Sequence, residues 1–520
     1  MPRKSQDHVH RLVRSMSPAE KRYYKLHLAR HGSEGASNQE LLFDAIASMD
    51  EYDEGALLDR FKHEAFTHRF AITKRRLYEG ILRSLDSFHT DSSVDVRMHR
   101  SLHHVELLHQ RALYDDAAKI LLGVRRSAEL HERPAILIAV AEWERRLIEC
   151  RNYTGIDQAA LDRIITADER VRQQQTQLDT LWGLKSNVLL HLYQYGQARD
   201  PKAWERSKEL LDHPILRDPQ QLTTAKAKFL FHHLKGAAAF AMGDTNACHE
   251  HLASNLALLT TERQRFADEP NLILGVVSNL IYVCIQAGRY AEAFAHLKSF
   301  RTLPAQWNMP ESDDLDLKLF STTTSLELSM YMRMGDLDHA LELVPVVERG
   351  LARHAGLISP VRKAGFQYQL AYAHFAAGHP EIALRWINAL LNDMRTDDQS
   401  DTACFGRMLH LLILLEMGKL DVLPYSLRNT ERFLRLRSRK HRFEPLLLQL
   451  VRGLLKKQPD EARRSIIETF RQGVVELEGD PFERSVFDHF DPIAWAESKL
   501  HRVPFAVRIK QRMRAVEQAA

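Results

Sequence analysis

Histidine is the first residue type in this chain that could do chemistry, with 27 copies. His99 and His103 stand four residues apart on a predicted helix, with His104 and His109 close by. Two imidazoles one turn apart can share a metal ion. No HExxH sequence, cysteine cluster or completing carboxylate accompanies them, so an ordinary polar helix face is expected there and at His232-His233. Cys150, Cys248, Cys284 and Cys404 are far apart and form no CxxC pair. That spacing argues against a structural zinc site or a disulfide framework and for reduced thiols. No metal and no other cofactor is expected. Catalysis would need a poised constellation, and the sequence contains no GxSxG, P-loop, strand-borne GxGxxG or kinase-type set. The carboxylates follow solvated helix faces, so no residue takes a catalytic role and the chain reads as a non-enzyme.

Arginine offers a second chemistry, the binding of anions. The most basic stretch runs from Arg428 to Arg442, with Glu431 as its one acidic residue. On a helix, Arg428, Arg432, Arg435 and Arg439 fall on one stripe. Such a stripe could contact phosphates or an acidic partner. The plainer reading is a solvated outer face whose arginine stems lie along apolar surface. A shorter run, Lys74-Arg75-Arg76, sits inside a predicted N-terminal helix and permits a nucleic-acid-binding reading of that region. The formal net charge of +4 is small for 520 residues, so the chain as a whole is no polyelectrolyte binder.

The elements that must position these residues are helices. The chain is 44% apolar and 27% charged, the composition of a folded globular protein, and strand and hairpin signals are sparse. The apolar runs, such as Ile136–Val140 and Leu411–Leu415, are too short to span a bilayer. No apolar run follows Met1–His8, which predicts a cytoplasmic protein without a secretory signal. Up to about residue 95 the pattern is that of four or five helices. Ser17-Pro18-Ala19-Glu20 reads as a capping box with proline at the first helical position, and a longer helix is expected from Phe66 to Phe88.

From about residue 95 a helical hairpin recurs. Its clearest copy is Gln286-Ala287-Gly288-Arg289-Tyr290-Ala291-Glu292-Ala293-Phe294. Related turns stand at Leu113-Tyr114, Arg151-Asn152-Tyr153, Tyr195-Gly196-Gln197, Met242-Gly243-Asp244, Met334-Gly335-Asp336, Ala377-Gly378-His379, Met417-Gly418-Lys419 and Lys457-Gln458-Pro459. Glycine after a helix adopts the left-handed conformation without a Cβ penalty. An alanine five residues on (Ala293, Ala340, Ala383) lets the two helices approach. A larger residue four positions later (Leu297, Val344, Ile387) fills the groove against the next hairpin. No hairpin buries both faces alone, so they must stack.

This pattern resembles the tetratricopeptide repeat, best from Asn279-Leu280 to Leu297 and at Leu234-Lys235-Gly236 with Ala239 and Gly243-Asp244. The better turns fall about 40 to 47 residues apart, against about 34 in that repeat. The flanks, Met16–Lys25 and Phe490–Leu500 followed by Pro504-Phe505-Ala506, look like those of an uncharacterised bacterial family of tetratricopeptide-like proteins, which implies no activity. The expected fold is all-α: a right-handed α-α superhelix over residues 96–475, a small helical domain over 1–95, and a cap over 476–520. In the cap, Phe487, Phe490, Ile493 and Trp495 are expected to cover the last apolar face of the solenoid.

The resemblance implies a scaffold or adaptor that holds a protein or peptide segment in a concave groove lined by the first helix of each pair. Asn279, by its offset from Gly288, matches the asparagine with which such arrays bond a ligand backbone. Lys185, Asn187, Tyr282, Tyr331 and Tyr368 also lie on first helices and are the further groove candidates. The competing expectation is a ligand-responsive regulator that binds nucleic acid through the N-terminal helices or the Arg428–Arg442 stripe. No membrane partner is expected.

Overall fold

The computed structural model describes residues 7–30, 34–90, 93–198, 201–393, 401–436, 441–456, 459–480, 482–483 and 486–519. Among them it contains 26 α-helices, a few short 3-10 turns and no strand. The chain divides into two compact units, one of residues 1–128 and 139–154, the other of residues 129–138 and 155–520.

The first unit holds α1 (His8–Ser15), α2 (Pro18–Arg30), α3 (Glu34–Ala47), α4 (Glu54–Arg60), α5 (Phe70–Phe88), α6 (Val94–His109), and most of α7 (Tyr114–Leu130) and α8 (Pro134–Cys150). The capping box forms as the sequence predicts: Ser17 N–H donates to Glu20 Oε2 at 2.6 Å, and Glu20 N–H donates to Ser17 Oγ at 3.3 Å. Val13, Tyr24, Phe43, Ile46, Leu57, Leu77 and Ile81 close around one buried core. Lys74 turns inward and donates to Glu54 at 2.7 Å and to the Tyr52 hydroxyl at 3.0 Å, while pairing with Asp7 at 2.9 Å. Arg75 pairs with Glu79 along its own helix. The Lys74-Arg75-Arg76 run is therefore largely committed to local ion pairs.

The second unit runs through α9 (Gln158–Tyr195), α10 (Pro201–Leu211), α11 (Ala225–Ala241), α12 (Thr245–Thr261), α13 (Asn271–Gln286), α14 (Tyr290–Gln306) and α15 (Asp313–Met334). It continues with α16 (Leu337–Glu342), α17 (Val344–Arg353), α18 (Pro360–Ala376), α19 (Pro380–Asp393), α20 (Asp401–Glu416), α21 (Leu423–Leu436), α22 (Phe443–Leu454) and α23 (Asp460–Glu478). Sequential helices pack as pairs, α9 also packs on α11, and α13, α15, α18, α20 and α22 also pack each on the next. The arrangement is that of a helical repeat array.

One turn chemistry makes most of these pairs. Gly243, Gly288, Gly335, Gly378 and Gly418 all take φ between +65° and +83°. The residue after each glycine donates its N–H back to a carbonyl five residues earlier, as Arg289 does to Cys284 at 2.8 Å and Asp336 to Tyr331 at 2.9 Å. This satisfies helix-end carbonyls that would otherwise lack partners. Ala112 makes the same turn in the first unit at φ 57°, despite a Cβ cost of roughly 1–2 kcal/mol. Ala293, Ala340 and Ala383 are fully buried where the paired helices meet, and Leu297 and Ile387 fill the adjoining groove. Val344 departs from expectation. The helix after Gly335 breaks at Leu343, because Pro345 has no N–H to continue it, and Val344 is left half-buried at the start of α17.

The chain's last part, α24 (Val486–His489), α25 (Pro492–His501) and α26 (Phe505–Ala519), does more than close the end of the array. Phe490, Ile493 and Trp495 are buried as predicted, but they share a core with Tyr368, Tyr372 and Phe375 of α18, and Phe487 packs against that core half-buried. The segment reaches back as far as Tyr290, whose hydroxyl donates to Met513 Sδ at 3.9 Å. No described helix is long and apolar enough to cross a membrane.

Candidate functional site

The first helices α9, α11 and α13 leave a cavity of about 430 Å³ on their shared side. Its apolar floor is Leu189 and Leu192 from α9, Phe240 from α11 and Val283 from α13. Asn279 and Tyr282 of α13 line one side, one turn apart. Both are exposed to the cavity although the rest of α13 is strongly apolar. The Tyr282 ring stands edge-on to Phe240 with centroids 5.8 Å apart. Tyr282 is 37% exposed, and partial burial raises its pKa, helped by the nearby Asp488 charge. Tyr193, 82% exposed, stands opposite on α9.

The charged part of the wall comes from far along the chain. Asp401, Asp488 and His489 border the cavity. Asp488 accepts from Arg333 Nη2 at 2.6 Å, and the His489 ring stacks on Phe405 at 4.3 Å. Gly196 is glycine for a local reason: at φ +77° a Cβ there would sit 2.6 Å from Asp401 Oδ2. His233 in the wall is neutral at pH 7, because burial and the Lys185 charge push its pKa down to about 4. Burial lowers the pKa of Lys185 as well. The thiol in the wall, Cys248, is driven the other way, to about 12, by burial and the Asp244 charge. At neutral pH the wall therefore holds a protonated thiol at Cys248, a neutral imidazole at His233 and a neutral phenol at Tyr282, beside the Asn279, Asp401, Asp488 and His489 side chains. Such groups can donate to and accept from polar backbone and side-chain atoms.

Of the six groove candidates, Asn279 and Tyr282 meet at this cavity. Lys185 is half-buried and acts on it only through its charge near His233. Asn187 is exposed and donates to the Gly183 carbonyl of its own helix at 3.0 Å. Tyr331 stacks on His339 at 5.3 Å, away from the cavity. Tyr368 is buried, and its hydroxyl donates to the His489 carbonyl at 2.9 Å. It is held by the chain's own C-terminal segment and is not offered to a ligand. Sequence reasoning missed Tyr193, Asp401, Asp488 and His489. The last three lie well over 100 residues from Asn279 or Tyr282, and no local pattern marks them.

The arginine stripe is visible in part. Arg428, Arg432 and Arg435 are exposed along α21, whose other face buries Leu423, Leu427, Phe433 and Leu434. Glu431 is occupied by Arg452, and Arg428, Arg432 and Arg435 make no ion pair among the described residues. Arg439 lies outside the described residues. His99 and His103 are both exposed, and His103 stands 3.4 Å from Glu106.

Fold and cavity together define an all-α protein of many sequential helical pairs with a semi-polar recess on its first helices. No family model and no curated protein matches the chain.

Proposed function

We propose that this protein is a non-catalytic scaffold or adaptor: a tetratricopeptide-like α-α superhelix over residues 96–475 that binds a protein or peptide segment on its first helices. The observation that carries this reading is the pairing of Asn279 and Tyr282 beside the apolar floor of a semi-polar recess. An amide exposed on an otherwise apolar helix suits a ligand backbone, and the recess below suits one buried anchor side chain. Residues 486–513 pack over parts of α15 and α18 and meet the α9–α11–α13 recess at its Asp488 and His489 border. The test is selection from a random peptide library on the full chain, compared with an Asn279→Arg/Tyr282→Ala variant. Related sequences enriched by the wild type and lost by the equally helical variant support the reading. Equal enrichment on both, or none on either, overturns it.

A second reading rests on Arg428, Arg432 and Arg435, three exposed cations on one stripe whose neighbouring acid, Glu431, is taken up by Arg452. Nucleic-acid binding through them would fall steeply with salt and would vanish in an Arg428→Glu/Arg432→Glu/Arg435→Glu variant. Absence of binding to duplex or single-stranded nucleic acid at low salt removes this reading.

A further inference from the structure

Away from the recess, three successive helices bring a histidine, a cysteine and a glutamate to one point. His249 comes from the first turns of α12, Cys284 from the last turn of α13 and Glu292 from the first turn of α14. Their donor atoms all lie within 4.8 Å of one another. His249 Nε2 is 2.8 Å from Glu292 Oε1, and His296, one turn along α14, places its Nε2 3.6 Å from the same oxygen. The Gly288 turn creates the meeting, since Cys284 stands four residues before the glycine and Glu292 four after it. Cys284 is fully buried, and His249 and His296 keep 15% and 22% of their side chains exposed, so the cluster is sheltered but reachable.

We propose that Cys284, His249, Glu292 and His296 form a binding site for a zinc-class divalent cation that ties α12, α13 and α14 together. One thiolate, two imidazoles and a carboxylate are a donor set suited to tetrahedral zinc. Metal–donor bonds of about 2.0–2.3 Å put tetrahedral donors roughly 3.3–3.8 Å apart, so His249, Cys284 and Glu292 need only small side-chain adjustments, while His296, now 3.6 Å from Glu292, turns further in to complete the set. On binding, Cys284 gives its thiol proton to solvent, and His249 moves its ring proton from Nε2 to Nδ1.

Arg289 makes the proposal specific. Its Nη1 lies 3.3 Å from His249 Nδ1, and its Nη2 donates to Asn246 Oδ1 at 3.2 Å. A guanidinium can only donate, so the metal-free His249 accepts at Nδ1 and directs its Nε2–H at Glu292. A cation on Nε2 removes that acceptor and meets a positive charge. Arg289, 41% exposed, must swing outward, so it opposes loading. In a plain ion-pair network the same arginine would only help.

The test is titration of the chelator-stripped full chain with Co(II), read by the thiolate-to-cobalt charge-transfer band and then by zinc displacement. Exposed Cys150, 3.4 Å from His109, is first replaced by serine so that a surface thiol cannot contribute. The expected result is one equivalent of cobalt with a thiolate band in Cys150→Ser and none in Cys150→Ser/Cys284→Ser. Glu292→Gln and His296→Ala, both on the partly exposed side, weaken binding about tenfold or more with helicity intact, and Arg289→Ala tightens it about tenfold. These three variants keep the test decisive if the buried Cys284 substitution impairs folding. No thiolate band in the Cys150→Ser chain, or Arg289→Ala weakening the binding, overturns the proposal.

Discussion

Asn279 and Tyr368 began as equivalent positions, polar residues on first helices, and the structure separates them by what covers each. Asn279 is exposed at the recess, so Asn279→Ala should change folding stability by no more than about 0.5 kcal/mol while reducing capture of selected peptides. Tyr368→Phe should do the reverse. It removes the donor to the part-buried His489 carbonyl, and an acceptor left without a partner costs about 1–2 kcal/mol, readable as a lower urea midpoint with peptide capture unchanged. If Tyr368→Phe weakened capture and spared stability, the assignment of open and covered stretches would be reversed. The shared face of Asn279 and Tyr282 was legible in the sequence because the Gly288 turn sets the register of α13, and the structure places both on the cavity wall. The covering of Tyr368 was not legible, since it depends on His489, 121 residues away. The metal-ligating cluster escaped for a related reason. Cys284, Glu292 and His296 straddle one turn, whereas His249 enters from the preceding hairpin, and no spacing rule joins them.

At the scale of the helical pair, the turn glycines look alike in sequence and differ in surroundings. A Cβ on Gly288 meets nothing within 4 Å, so Gly288→Ala should cost only the left-handed strain of about 1–2 kcal/mol. A Cβ on Gly335 would lie 2.7 Å from the backbone nitrogen of Lys510 in α26. Backbone cannot yield as a flexible side chain can, so Gly335→Ala should lose about 1–3 kcal/mol more and loosen α26, giving faster proteolysis within residues 505–515. Equal destabilisation by the two variants would mean that α26 does not rest on the Gly335 turn. The left-handed turns and the buried alanines were readable because each is a local requirement repeated at similar spacing. The break at Leu343 was also written locally, in Pro345, but the hairpin pattern masked it. The return of α24–α26 across α18 and α15 has no local cause, because apolar residues such as Phe490 and Trp495 specify burial without specifying a partner.

Across the described residues, half-buried histidines weigh on the response to acid. His232 and His233 of α11 and His410 of α20 all have pKa values pushed down to about 4, first by burial and then by the neighbouring His251, Lys185 and Arg407 respectively. In the unfolded chain each returns to about 6.5. Between these values the unfolded state binds more protons than the folded one, so stability rises with pH across that window and is lost as pH falls through it. Glu132 works in the opposite direction. Burial raises its pKa even though it accepts from the Ala225 and Lys226 backbone N–H groups and pairs with Arg265, so the folded chain binds its proton more readily. Burial also lowers the pKa of His251 and His374, so the histidines outweigh Glu132 and leave a net loss on the order of several kcal/mol from pH 7 to pH 4.5. Urea denaturation at a series of pH values should show the midpoint falling mainly below pH 6.5, ahead of the range in which ordinary carboxylates titrate. His410→Asn should flatten that slope, because it removes one of the groups that must stay neutral in the fold. A midpoint constant from pH 7 to pH 5, or a slope unchanged by His410→Asn, would show that these imidazoles take up protons in the folded state as readily as in the unfolded one.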